Sequence, residues 1–150
     1  MQQFHLPLAN LPLRRLKTYI QVFDICRRRW VRLTPEEEVR QRWLHYLINH
    51  LFISKALVKV EQCLANALRA DIVVYKGEAL TPYLILECKS PTVVIGEADL
   101  QQLLCYQRYI SAHALAISNG MEHFFFERNT SGMMQPVPVL SIMQSSIQPN

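Results

Sequence analysis

The chain has 150 residues, of which 50% are apolar and 19% charged, with a net charge of +4. That composition fits one globular domain with a single hydrophobic core and excludes a disordered chain. No apolar run is long enough to span a bilayer, and Met1–His5 lacks a signal-peptide pattern, so a cytoplasmic protein without a membrane partner is expected. Cys26, Cys63, Cys88 and Cys105 show no paired spacing, which argues for reduced thiols rather than zinc or disulfides.

The charge is unevenly spread. Arg14, Arg15, Lys17, Arg27, Arg28, Arg29 and Arg32 stand against Asp24 in the first 33 residues, an excess of +6, and the remainder sums to −2. A basic arm on a mildly acidic body suits a polyanion whose phosphates it would hold; a solubilising charged hairpin fits equally.

Residues 1–13 hold Pro7 and Pro12 among small apolar residues and read as an extended lead-in. Tyr19–Phe23 and Trp30–Leu33 suggest two short strands joined through Asp24–Arg29. Thr34-Pro35-Glu36-Glu37 is a helix start: a capping hydroxyl, a proline at the first helical position and an acid where a capping box needs one. Val39, Trp43, Leu47 and Leu51 follow at helical spacing, predicting a helix to about Phe52.

Ala56–Val60 and Arg69–Tyr75 read as strands, as does the stretch Tyr83–Pro91. Gly96–Ile110 reads as a helix. Ala114–Ile117 and His123–Phe126 read as a hairpin around Ser118-Asn119-Gly120-Met121. The tail from Asn129 holds at most one short strand near Val137–Ile142. The expected division is a basic lead-in and hairpin (1–33), a core (34–128) and a tail (129–150), together one globular domain. Its fold class is α/β, a central mixed sheet flanked by helices in the order αβββαβ.

The chemistry centres on Leu86-Glu87-Cys88-Lys89. Strand alternation points Glu87 and Lys89 to one face and Cys88 to the other. Asp71 heads the preceding strand, so its carboxylate could lie beside Glu87. Two carboxylates and a backbone carbonyl, with waters, are the hard oxygen ligands that Mg²⁺ prefers, and a nearby lysine can orient or deprotonate a water attacking phosphorus. The bland alternative is a surface ion-pair cluster at strand ends. Arg27-Arg28-Arg29 is either a solvated turn or a phosphate contact. His5, His45, His50, His113 and His123 form no metal spacing.

Asp71 with Glu87-Cys88-Lys89 resembles the core of the PD-(D/E)XK nuclease superfamily. Within it, Phe23-Asp24, Leu33–Glu37, Val39-Arg40-Gln41, Arg69–Val74 and Leu86–Pro91 resemble the N-terminal domain of the type I restriction enzyme R subunit. Gln102-Leu103-Leu104-Cys105-Tyr106 is similar to that family's Gln-x-x-x-Tyr, and Ser118-Asn119-Gly120 to its Asn-Gly turn.

The resemblance implies a restriction-endonuclease-like three-layer core and a Mg²⁺-dependent DNA endonuclease, with Mn²⁺ as a substitute. It implies Asp71, Glu87 and the Cys88 carbonyl as metal ligands and Lys89 as the catalytic lysine. Gln102 and Tyr106 would sit on a helix face at the site, Glu38 would offer a further acid, and Arg69 with Arg27, Arg28 and Arg29 would contact DNA. The family's R subunit carries an ATP-driven motor, but no Gly-x-x-x-x-Gly-Lys-Ser/Thr occurs here. The alternative is therefore a weakly active or inert DNA-binding or assembly module that needs a motor or other restriction-system subunits.

Overall fold

Regular structure begins inside the segment that reads as a lead-in. A computed structural model describes residues 3–144, so Met1-Gln2 and the last six residues of the expected tail lie outside the described residues. Strand β1 (Leu13–Arg15) pairs antiparallel with β2 (Ile20–Asp24), which pairs with β3 (Arg29–Arg32). Pro12 precedes β1 at the sheet edge, where a missing N–H disturbs no ladder. In the β2–β3 turn, Asp24 Oδ1 accepts from Cys26 N–H at 2.8 Å and Arg27 N–H at 2.6 Å, and Arg28 takes a left-handed φ of 56°.

Helix α1 (Pro35–Asn49) starts where its sequence predicts, with Thr34 Oγ1 accepting from Glu37 N–H at 3.1 Å. The expected capping box is only half formed, because the Glu37 carboxylate turns to Arg27 and Arg40. It stops three residues short of Phe52, because Phe52 adopts a φ of 56° and turns the chain out of the helix. Lys55–Leu57 then form a single 3-10 turn, so β4 (Val58–Ala65) begins later than expected and runs well past Val60. Strands β5 (Leu68–Lys76) and β6 (Thr81–Cys88) follow, and β6 ends at Cys88 with Lys89 just beyond it.

Helix α2 (Glu97–Tyr106) is shorter than the sequence suggests, since Gln107 folds back to bond Ala112 through both N–H and carbonyl. Strands β7 (Ala114–Ser118) and β8 (His123–Arg128) are joined through residues 119–122, with Asn119 Oδ1 accepting from Met121 and Glu122 N–H. Gly120 has a φ of 88°, and a Cβ there would meet Val39 of α1 at 3.1 Å, so the turn and the helix packing both require glycine. The last strand, β9 (Met134–Val137), lies earlier than Val137–Ile142, where Ser141–Met143 instead form a 3-10 turn.

The six-stranded sheet has the order β4-β5-β6-β7-β8-β9, and its one parallel pair, β6 with β7, is bridged by α2. Val39, Trp43 and Leu47 of α1 pack with Ile72, Leu84, Leu86 and Phe125 on one face. Leu103 and Tyr106 of α2 pack with Val73, Ile85, Leu115 and Ile117 on the other. The result is the expected three-layer α/β core with αβββαβ order. Because β7 is covered on both faces, its five residues are all buried and apolar alternation is absent. Phe4 and Leu6 of the lead-in and Leu140 near the other end join the α1-side cluster. Among the described residues, no helix is long and apolar enough to cross a membrane.

Candidate active site

The register Ile72↔Leu86 carries β5 and β6 side by side to the sheet end where Asp71 and Glu87 stand. Asp71 Oδ2 accepts from Cys88 N–H at 2.7 Å, which ties the carboxylate to the residue following Glu87. On the other side of Asp71 the ladder is irregular. Glu61 of β4 takes a φ of 52°, and the pairs Val60↔Ile72 and Gln62↔Ala70 flank it. A left-handed glutamate inside a strand stores local strain, which such sites tolerate when surrounding contacts fix it.

Glu87 and Lys89 share a face, as alternation requires. Glu87 Oε2 accepts from the Tyr106 hydroxyl at 3.1 Å, and Tyr106 accepts from Gln102 Nε2 at 3.1 Å. Lys89 Nζ lies 3.6 Å from Glu87 Oε1 and 3.4 Å from Asp99 Oδ1, and donates to Gln102 Oε1 at 3.4 Å. Lys89, Gln102, Tyr106 and Glu87 thus form a closed ring of contacts between β6 and α2. Asp99 was not evident from sequence, although it precedes Gln102 by three residues and Tyr106 by seven, on the same helix face. The Gly96 N–H donates to its Oδ2 at 3.0 Å, which holds its pKa below the ordinary carboxylate value.

From the opposite layer, Arg40 of α1 bonds Asp71 Oδ1 at 2.6 Å and also pairs with Glu37, with Glu36 at 3.6 Å and with Glu61 at 3.8 Å. Burial opposes the charge on Arg40, but Asp71 and Glu37 outweigh it and raise its pKa. Arg27 extends the network, pairing with Asp24 at 2.7 Å, Glu37 at 2.8 Å and Glu61 at 2.9 Å. Its side chain is only 12% exposed, so Arg27 is a structural counter-ion rather than the DNA contact the arginine run suggests. Arg28, Arg29 and Arg69 are exposed, as that role requires.

Glu38 points to solvent, and the first-turn acid that senses the site is Glu36. Its pKa is raised by burial and then by Asp71. Helical phase carries part of the signal: Val39, Arg40 and Trp43, three, four and seven residues after Glu36, are all buried, whereas Arg42 and His45, four and seven after Glu38, are only half-buried.

The cluster is short of positive charge. Asp24, Glu36, Glu37, Glu61, Asp71, Glu87 and Asp99 share only Arg27, Arg40 and Lys89 as ion-pair partners among the described residues. Glu87 shows the consequence. Burial and then the charge on Asp71 push its pKa up to about 8. No group of three acidic, His or Cys side chains among the described residues is arranged to hold a metal by itself. A cation here would draw on Asp71, Glu87, the Cys88 carbonyl and water. That donor set fits Mg²⁺, which keeps several waters, better than zinc.

A mixed sheet between two helices, with paired carboxylates and a lysine at the mouth of adjacent strands, defines an α/β domain with a polar, anionic centre at one sheet end. Residues 35–140 match the family described as Type I restriction enzyme R protein N terminus (HSDR_N), and the chain belongs to it. It is therefore a restriction-nuclease-related module. No curated protein and no solved structure gives a match.

Proposed function

We propose that the domain is a Mg²⁺-dependent DNA endonuclease module of the PD-(D/E)XK type, hydrolysing phosphodiester bonds. The observation that carries this reading is Lys89, held beside Glu87 on the face and sheet end where Asp71 stands. Their side chains are only 18% and 10% exposed, so desolvation offsets much of the pair's Coulombic gain and folding stability gives little reason to place a lysine there. Asp71, Glu87 and the Cys88 carbonyl hold the ion, with Mn²⁺ as a substitute. When bound, the ion stabilises negative charge developing on the phosphate. Lys89 orients the attacking water, Gln102 fixes the ammonium, and Tyr106 fixes Glu87. Arg69, two residues before Asp71, and Arg28 with Arg29 contact the DNA backbone.

One observation favours a second reading. Arg40 and the Cys88 N–H together engage both oxygens of Asp71, which restrains that carboxylate before any ion arrives. A module so restrained binds DNA and cuts only when a motor or another restriction-system subunit shifts α1. Incubation of supercoiled plasmid with the protein separates the two. Nicked circles with Mg²⁺ or Mn²⁺ and none with EDTA support the endonuclease. Intact plasmid with salt-sensitive DNA binding supports the restrained module.

A further inference from the structure

The three-stranded sheet lies ahead of the family match, which begins at residue 35, and its outer face has no part in the site described above. Register places Arg14, Gln21 and Arg32 in one row across it, with Phe23 and Trp30 in the next row on the same face. The opposite face carries Leu13, Val22 and Val31, with Val22 fully buried. Arg14 and Arg32 therefore stand two strand spacings apart, about 10 Å at the backbone.

Each outer arginine is pre-positioned on an aromatic ring. Arg14 Cζ lies 4.4 Å from the Trp30 ring centroid, and Arg14 Nε also donates to Gln21 at 2.8 Å. Arg32 Cζ lies 5.3 Å from the Tyr19 centroid. Stacking leaves the planar guanidinium donors free to meet a phosphate. Beside them a shallow cavity of about 370 Å³ opens at the β1–β2 turn, lined in part by Arg15, Lys17, Tyr19 and Arg32. Arg14, Lys17 and Arg32 are all exposed, and none has a salt-bridge partner among the described residues. This is the reverse of the acid-rich centre, where three cations serve seven carboxylates.

We propose that this face is a second DNA-contacting surface that grips the phosphate backbone of duplex DNA away from the cleavage centre. Charge complementarity selects a polyanion. The rings select backbone over bases, because Trp30 and Tyr19 already carry a guanidinium where a single-stranded base would stack. Rigid docking makes the contact useful: Arg27 bolts the β2–β3 turn to α1 through Glu37 and to β4 through Glu61, fixing the sheet relative to the site. The proposal rests on the reading of the domain as one that acts on DNA, and it assigns the part of the chain that holds the substrate.

The test is fluorescence anisotropy of a labelled duplex with the full chain in EDTA, so that cleavage plays no part. The R14Q/K17Q/R32Q variant should bind at least about tenfold more weakly at low salt, with a log–log salt slope shallower by about 2 to 3. Its melting temperature should match the wild type, since all three side chains are exposed. Unchanged affinity and slope would overturn the proposal, as would no wild-type binding, tighter binding of the single strand, or equal competition by polyglutamate. Failure of plasmid nicking with this binding intact would count against the endonuclease reading only.

Discussion

Arg40 holds Asp71 at 2.6 Å from a helix on the opposite side of the sheet from Tyr106, which holds Glu87 at 3.1 Å. The two carboxylates of the candidate centre are thus each fixed by a different layer. Arg40 and Asp71 are 6% and 12% exposed, so this is a buried pair. Removing one partner of such a pair leaves an uncompensated charge and costs about 3–5 kcal/mol. Arg40→Ala should therefore lower the unfolding free energy measured in urea by that amount, and the midpoint with it. Arg40→Lys, which keeps charge but not the two-pronged geometry, should fall between it and wild type. An unchanged midpoint in Arg40→Ala would show that the network does not stabilise the fold.

The surplus of carboxylates predicts that a divalent ion stabilises the folded chain. At a concentration about 100 times its Kd, an ion that binds only the native state adds about 2.7 kcal/mol. Thermal unfolding monitored with increasing Mg²⁺ should show a rise in the wild type and none in Asp71→Asn. Equal shifts in both proteins would place the ion elsewhere.

Tyr106 is buried, and its hydroxyl sits between Gln102 and Glu87. Burial and then the charge on Glu87 raise its pKa, so it stays a donor at neutral pH. Tyr106→Phe should cost about 1 kcal/mol of stability, the worth of one hydrogen bond, yet reduce cleavage about 10- to 100-fold through the loosened carboxylate. Single-turnover cleavage set beside urea unfolding separates these effects. A fall in rate no larger than the loss of folded protein would make Tyr106 purely structural.

His123 predicts a pH dependence distant from the chemistry. Its ring packs against Phe4 and Trp43, and Nδ1 lies 2.8 Å from Ser118 Oγ. Burial, then Arg42 and His5, lower its pKa from 6.5 to about 4. Between those values the unfolded chain binds the proton that the folded chain refuses. Stability from this group is therefore intact above pH 6.5 and falls as the pH drops toward 4, by about 3 kcal/mol. His123→Phe should flatten that part of the stability curve, and an undiminished slope in the variant would assign it to other groups.

Much of this was legible locally. Thr34-Pro35-Glu36-Glu37 marks the start of α1, period-2 alternation places Glu87 with Lys89, and the four-residue spacing joins Gln102 to Tyr106. What escaped depends on long-range contact. A run of three arginines does not reveal that Arg27 is buried by Asp24, Glu37 and Glu61 while Arg28 and Arg29 remain outside. Glu61 ends an apolar alternation in sequence yet continues β4 in a left-handed conformation beside Asp71. Phe4 and Leu6 read as loose lead-in because their partners, including Trp43 and Phe125, are distant in the chain. Glu36 over Glu38 was recoverable in part from helical phase.

The central claim is that Asp71, Glu87 and Lys89 form one cleavage centre. It is tested most directly by Mg²⁺-dependent nicking of supercoiled plasmid by the wild type and by Lys89→Ala, with duplex affinity measured alongside. The account predicts nicking by the wild type and a loss of at least about 100-fold in Lys89→Ala. Folding should be intact and duplex affinity close to wild type. Equal nicking by both proteins would contradict it.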